Sequence, residues 1–249
     1  MKRRFAAIAL GALFAAPVQA FDLTTMSDAE RAAFGAEVRA YIMQNPEVIM
    51  EAIGVLEERE AEMKEQLDVA LVENNADALF NDPTSWVGGN PDGDITMVEF
   101  LDYRCGYCRK AHVDVANLLK QDGNIRIIVK EFPILGEASM VSSQFAVAVR
   151  LVAGDDAYKA AGEALIKLNG GVGEPVLRRL AGTLGLDADA VIDKMQSDEV
   201  SQIINTNHLL GQRMQINGTP TFVVKDQMLR GYLPLDAMKQ VVAQVRDKG

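Results

Sequence analysis

Cys105 and Cys108 are the two cysteines of the 249-residue chain, and only Gly106 and Tyr107 separate them. They follow a strand-like run, Ile95 to Leu101, and open a helix-like one. A thiol at a helix N-terminus faces unpaired backbone N–H groups and the positive end of the helix dipole, which favour thiolate over thiol. Cys105 is therefore the expected nucleophile. Cys108, one turn further in, is placed to attack a sulfur bonded to Cys105, so the pair can cycle between dithiol and disulfide.

Other chemistries fit this pair less well. Zinc needs four ligands, and beyond the two thiols the chain offers only His112 and His208. A structural disulfide here would close too short a loop to constrain the unfolded chain. His112, four residues after Cys108, reads as a helix-surface histidine, and His208 has no partner visible in the sequence. Cu(I), which suits soft sulfur ligands, stays open as a cargo of the thiolates. The 11 methionines add little to that reading, because none clusters near the cysteines.

The elements that must position the thiols begin after a leader. Lys2, Arg3 and Arg4 precede an apolar run from Phe5 to Ala16, and Pro17 to Ala20 ends in small residues, the pattern of a secretory signal peptide over residues 1 to 20. Cleavage after Ala20 leaves Phe21 first and 22 basic against 35 acidic side chains. So acidic a product argues against nucleic acid as a partner. No later stretch reaches the length of a membrane span. Export predicts an oxidising compartment, with the bacterial periplasm the natural one.

Residues 21 to 81 read as a helical segment. Ser27 and Glu30 fit a capping box before an apolar face of Phe34, Val38, Tyr41 and Ile42. Asn45 and Pro46 then read as the start of a second helix with no strong breaker before Asn81, Asp82 and Pro83. Along it Ile49, Ile53, Leu56, Glu60, Met63, Leu67 and Ala70 form a seam of period 3.5 with one acidic interruption. Such a stripe can fold back onto the chain's own core, but so narrow a one on a charged helix is better buried by a copy of itself, which predicts a homo-oligomer formed through residues 27 to 80.

Residues 82 to 249 change character. Gly88 to Asp94 read as a turn, Ile95 to Leu101 as a strand, the cysteine helix as running to about Lys120, and Ile125 to Phe132 as the next strand, parallel to the first. The thiols then sit at the carboxyl end of a strand, where open α/β sheets commonly carry their sites. Residues 137 to about 214 read as several helices and form an insertion. Thr221 to Val224 and Met228 to Leu229 make a hairpin around Lys225, Asp226 and Gln227. A final helix presents Met238, Val241, Val242 and Val245 on one face.

This order is that of a thioredoxin fold, an α/β fold, interrupted by a helical domain and preceded by a helical extension. The chain resembles the DsbA-like thiol:disulfide oxidoreductases. Three motifs carry the resemblance: Val98 to Cys108; Lys130, Glu131, Phe132 and Pro133; and Gly218 to Phe222. The N-terminal helices with Asn45, Pro46 and Glu47 resemble the ScsC-like subgroup, whose members include oligomeric disulfide isomerases. The resemblance implies that Glu99 is a buried carboxylate accepting a proton from Cys108, with Lys130 either pairing with it across the strands or lying as an edge lysine. It also implies that Thr219 and Pro220 form a cis-proline loop that presents a backbone edge to extended substrate peptides. Gly106 and Tyr107 stand where DsbA has proline and histidine, which takes a donor and a positive charge from beside the thiolate and predicts a weaker oxidant. Arg104, Arg109 and Lys110 offer partial compensation.

The expected activity is that of a periplasmic disulfide isomerase and reductase acting on misfolded or reduced secreted proteins. It needs no cofactor beyond the Cys105–Cys108 disulfide, and a membrane thiol reductase is the implied electron donor. A DsbA-like dithiol oxidase, and a Cu(I)-binding or chaperone module, are the alternatives.

Overall fold

The computed structural model describes residues 25–247, so the leader expected over residues 1 to 20 lies outside the described residues. The molecule divides into two compact units between Arg59 and Glu60. The first holds α1 (Asp28–Gln44) and the opening turns of α2 (Glu47–Asn74). The capping box of α1 forms as expected: the Ser27 N–H donates to Glu30 Oε2 at 2.8 Å, and the Glu30 N–H donates to the Ser27 hydroxyl at 3.4 Å. Asn45 serves a different end from the one expected. Its side chain turns back to the Tyr41 carbonyl at 2.9 Å and closes α1 rather than opening α2.

Helix α1 buries none of its residues, and Phe34, Val38 and Tyr41 stand exposed. Along α2, Ile49, Ile53, Leu56, Met63 and Leu67 of the seam are exposed as well. The helix is continuous past Gly54 and ends earlier than the sequence implied. Asn75 interrupts it, its amide donating to the Leu71 carbonyl at 2.8 Å, the local competition for backbone groups that makes asparagine a helix terminator.

The second unit begins with the rest of α2 and continues through α3 (Ala76–Phe80). Asp68, Val72 and Leu79 are buried in it, so the sequence-based boundary near residue 81 falls well inside this unit. A five-stranded sheet follows, in the order β1-β3-β2-β4-β5, built from β1 (Trp86–Gly89), β2 (Ile95–Leu101), β3 (Ile125–Glu131), β4 (Thr221–Val224) and β5 (Gln227–Arg230). Only β2 and β3 are parallel. Strand β1 takes in the first two residues of the expected turn, Gly88 and Gly89. Gly88 and Gly89 hide it in sequence, yet both pair with β3, while the turn itself spans Asn90 to Asp94.

Between β2 and β3 runs α4 (Gly106–Asp122), buried through Cys108, Ala111, Val115 and Leu118 at helical spacing and stopped by Gly123 in the left-handed region, φ 72°. Five helices separate β3 from β4: α5 (Glu137–Ala153), α6 (Asp155–Lys167), α7 (Glu174–Thr183), α8 (Ala188–Met195) and α9 (Asp198–Arg213). The chain closes with α10 (Leu235–Asp247), whose Met238, Val242 and Val245 are buried.

Side chains alternate along β2 and β3, and each face of the sheet has its own core. Met97, Leu101, Ile127 and Val129 join α4, α5, α6 and α10 on one face. Val98, Phe100 and Ile128 meet Val72, Leu79, Leu210 and Met214 on the other. Lys130 belongs to this second face. It donates to Asp82 at 2.6 Å and to the Ala78 carbonyl at 2.8 Å, so the pairing with Glu99 does not form. Neither is it an edge lysine, since β3 lies inside the sheet. The physical reason is register: Lys130 lies opposite Phe100, whereas Glu99 lies opposite Val129 and points to the other side.

Burial alone would raise the Asp82 carboxyl, but hydrogen bonds from Lys130, Thr84 and Ser85 outweigh it and hold the group at about 2. A depressed carboxyl stabilises the fold above its unfolded-state pKa, and that stability is lost as pH falls through the folded value. Asp82→Asn is expected to cost about 3 kcal/mol at neutral pH in urea unfolding, because Lys130 stays buried with a single carbonyl partner. The penalty should shrink between about pH 4 and pH 2, where the parent loses the same interaction.

Candidate active site

The site lies where β2 ends and α4 begins. Cys105 is the N-cap residue of α4, with extended backbone angles and no side-chain capping bond of its own, so its sulfur is left beside the first-turn N–H groups. Both cysteines are free thiols. Cys105 is 7% exposed and Cys108 0%, the order expected of an attacking and a resolving sulfur. Between them Gly106 and Tyr107 are exposed, Tyr107 at 65%, and a side chain at Gly106 would meet nothing within 4 Å. Open space therefore lies above the thiols.

Thr219 and Pro220 come against the pair from the loop before β4. The Thr219–Pro220 peptide is cis, and the Cys105 thiol donates to the Thr219 carbonyl at 3.1 Å. Pro220 is buried, with its carbonyl taken by the Gly231 N–H at 2.9 Å. Thr219 is half-buried beside the nucleophile, so its main chain stands at the edge of the open space.

Glu99 sits on β2 two positions before Leu101, on the face that α4 covers. It is 5% exposed, and its Oε1 has no protein hydrogen-bond partner. Burial pushes its carboxyl up to about 7, and the nearby charge of Glu131 adds to the effect. Burial also pushes the Cys108 thiol well up; a hydrogen bond from the Asp102 backbone opposes this, while the charges of Glu99 and Cys105 push it further. The two groups are thus electrostatically coupled, each resisting ionisation while the other is charged. A buried acid near neutrality beside a thiol that resists ionisation is a suitable proton acceptor.

Other residues hold this arrangement and were not singled out in the sequence. Asp102 is fully buried, and its carboxylate accepts N–H bonds from Arg104 at 2.8 Å, Ile134 at 2.9 Å and Leu135 at 3.1 Å, while its carbonyl takes the Cys105 N–H at 3.1 Å. One side chain therefore ties the thiol turn to the loop after β3. The readable signal was an aspartate at a strand end two residues before an unpaired N–H, the pattern of an Asx-turn. Glu131, on β3, accepts from Tyr103 at 2.8 Å and Tyr158 at 2.5 Å.

The nearby cations are engaged elsewhere. Arg104 donates to the Leu168 and Gly170 carbonyls, Arg109 to the Tyr103 and Leu168 carbonyls and to Asn169, and Lys110 lies 4.3 Å from the Tyr232 ring centre. Arg104 and Arg109 thereby pin the 168–170 loop against the start of α4, while Lys110 covers Tyr232. His112 is half-buried rather than on the surface and borders a cavity with Glu99, and burial lowers its pKa. His208 does have a partner: Nε2 lies 3.1 Å from the Pro133 carbonyl, and the ring packs edge-on to Phe132. Among the described residues, no group of three or more His, Cys, Asp or Glu side chains is placed to hold a metal ion.

The Glu99 carboxyl makes a testable statement about stability. A carboxyl raised in the folded state favours folding at low pH, and that contribution is lost as pH rises through the folded value. Relative to the parent, Glu99→Gln should therefore gain about 3 kcal/mol in chemical unfolding between pH 4 and pH 8, with most of the change below about pH 7.

Known proteins share this architecture. A thioredoxin-like oxidoreductase from Silicibacter pomeroyi is 38% identical, with a TM-score of 0.64 over 69% of this chain and 97% of that one. ScsC of Proteus mirabilis in a transitional conformation is 25% identical, with a TM-score of 0.65 over 90% of this chain and 100% of that one. Disulfide bond formation protein D of Bacillus subtilis is 21% identical over 182 residues, 68% of this chain and 82% of that protein. The chain also spans about a quarter, 24%, of the length of curated relatives described as sodium/proton antiporters NhaA from Salinispora. Residues 30–62 match the copper resistance protein ScsC N-terminal domain. Residues 96–243 match the DSBA-like thioredoxin domain, and on the strength of that match, with the Cys105–Cys108 pair inside it, the chain belongs to the DSBA-like thioredoxin domain family.

Proposed function

We propose that this chain is a periplasmic thiol:disulfide oxidoreductase that isomerises and reduces wrong disulfides in secreted proteins. The observation that carries the reading is Cys105 Sγ, 3.1 Å from the Thr219 carbonyl at the N-cap of α4, with Cys108 in the first turn of that helix and both Cys108 and Glu99 buried. An extended substrate strand lies along the Thr219 backbone and brings its disulfide to Cys105. The Cys105 thiolate attacks one substrate sulfur; a Cys105–substrate disulfide forms, and the other substrate sulfur leaves as a thiolate.

Two exits follow. A second substrate thiolate attacks the bridged substrate sulfur, forms the new substrate disulfide and releases Cys105 as thiolate, which completes isomerisation. Alternatively Cys108 gives its proton to the Glu99 carboxylate and attacks Cys105, releasing a reduced substrate and leaving the Cys105–Cys108 disulfide. Two electrons have then passed to the substrate, and an external dithiol, a membrane thiol reductase in this proposal, must restore the pair.

Self-association is the second half of the proposal. Phe34, Val38, Ile49, Ile53, Leu56 and Met63 are large apolar side chains exposed to water on α1 and α2, and a second copy of the same helices covers them at the least cost in new polar burial. An assembly formed through these helices hinders an oxidase from reaching the thiols, which keeps the pair reduced. A dithiol oxidase would use the same thiols in the reverse direction.

Scrambled-disulfide ribonuclease separates the two directions. The chain from Phe21 onward, a form cut at Glu60 that keeps Asp68, Val72 and Leu79 on the sheet, and Cys105→Ser are compared for recovered ribonuclease activity and solution mass. The long form should be oligomeric and restore activity, the cut form should be monomeric and lose most isomerisation while still oxidising reduced substrate, and Cys105→Ser should do neither. A monomeric long form that oxidises reduced ribonuclease but leaves the scrambled form untouched contradicts the proposal. Cu(I) binding without thiol turnover would contradict it as well.

A further inference from the structure

Glu99 is not alone beneath the thiols. In the β2–β3 register Glu99 lies opposite Val129 and Leu101 opposite Glu131, so the two glutamates project from adjacent strands onto the same face, two positions apart. Both are buried, and each keeps one carboxyl oxygen without a protein partner, Oε1 of Glu99 and Oε2 of Glu131. Their surroundings differ. Glu131 Oε1 accepts from the hydroxyls of Tyr103 and Tyr158, whereas Glu99 borders a cavity of about 140 Å³ that opens past His112 and the exposed Lys159 and Glu163.

We propose that Glu131, held by Tyr103 and Tyr158 on the same sheet face as Glu99, is a positioning residue for the thiol reaction: its fixed charge sets the strength of the base that serves Cys108. Two acids this close in a low dielectric cannot both ionise easily, so they release protons in two steps that belong to the pair. The first charge settles where two hydroxyls donate to it, on Glu131. The second leaves from Glu99, the member with a path to solvent. A stronger base is a better match for a thiol that burial holds protonated, which speeds the step in which the Cys108 S–H bond breaks, the Glu99 O–H bond forms, and the Cys108 sulfur bonds to Cys105 as the Cys105–substrate disulfide breaks and the substrate sulfur leaves as thiolate.

The other groups facing the pair do not supply this function. Toward Glu99, α4 presents Cys108 and His112, and α6 presents Tyr158, Lys159 and Glu163, of which Lys159 and Glu163 are exposed. Toward Glu131 stand Asp102, whose carboxylate is occupied by three backbone N–H groups, and Arg150, which is bonded to Asp155 and to the Thr84 carbonyl. Lys130, the nearest buried cation in sequence, is on the opposite face with Asp82. Among the described residues no cation forms an ion pair with either carboxyl, and the tyrosines are the groups that donate to Glu131. Burial, and to a smaller extent the charge of Asp102, raise the Glu131 carboxyl, while Tyr158, Ser143 and Tyr103 oppose the rise.

This inference rests on the proposed role of Cys108 and Glu99, yet its test does not depend on which way electrons flow. In the reduced full chain, the protonated carboxyl band that disappears in Glu99→Gln is titrated by infrared spectroscopy, and the rate at which oxidised glutathione converts the dithiol to the disulfide is measured across pH. Glu131→Gln should move the Glu99 midpoint down by about one pH unit and shift the lower limb of the rate profile with it. The rate above both midpoints should fall as well, because the base is weaker. Tyr158→Phe, which removes one donor and keeps both acids, should move the midpoint the same way by less, and it carries the test if Glu131→Gln does not fold. A Glu99 midpoint unmoved in the folded variants overturns the inference and leaves the isomerase proposal standing. Failure on scrambled ribonuclease has the opposite effect, sinking that proposal while the titration stands.

Discussion

Both faces of β2 are covered, by α4 and the inserted helices on one side and by the end of α2, α3 and α9 on the other, so its side chains are taken out of water whichever way they point. Most of the strand is apolar and gains from this. Glu99 does not. A carboxyl buried there, with no ion-pair partner among the described residues, can hold its charge only at a cost. It raises the proton affinity of Glu99, couples it to Cys108 through their charges and makes Glu131 its electrostatic partner. The parallel pairing of β2 with β3 decides which charges meet: it brings the two glutamates to one face and sends Lys130 to the other.

The thiols depend on the same strand for their position and on two loops for their setting. Asp102 converts the end of β2 into a fixed turn by accepting three N–H groups, one from the thiol segment and two from the loop after β3. The loop before β4 then lays the Thr219 carbonyl against Cys105. The site is therefore assembled from three distant stretches of chain, each anchored to the buried sheet, while Gly106 and Tyr107 leave its outer side open.

Much of this was legible in the sequence, and the failures have specific causes. The βαβ unit, the helical insertion, the final hairpin and the thiol positions announce themselves because β2, β3 and α4 have long uninterrupted periodic runs. Strand β1 was hidden because Gly88 and Gly89 lack the β-branched signal, its strand state coming from pairing with β3. The end of α2 was missed because a single asparagine, Asn75, does the work of a breaker by side-chain competition. The Glu99–Lys130 pairing failed for a reason no local pattern carries: facing direction depends on register, and register is a tertiary property. The same holds for Glu131, an ordinary residue of a recognised motif until the fold sets it against Tyr103 and Tyr158.

If Cys105 attacks and Cys108 resolves, the mixed disulfide can be trapped on one thiol and not on the other. With Cys108→Ser in the full chain, a disulfide-bonded peptide substrate is added and the covalent adduct is mapped by mass spectrometry under non-reducing conditions. A stable adduct is expected on Cys105, and none on Cys108 in the reciprocal Cys105→Ser variant, where the remaining thiol is buried and held protonated. An adduct forming as readily on Cys108 as on Cys105 would contradict these roles.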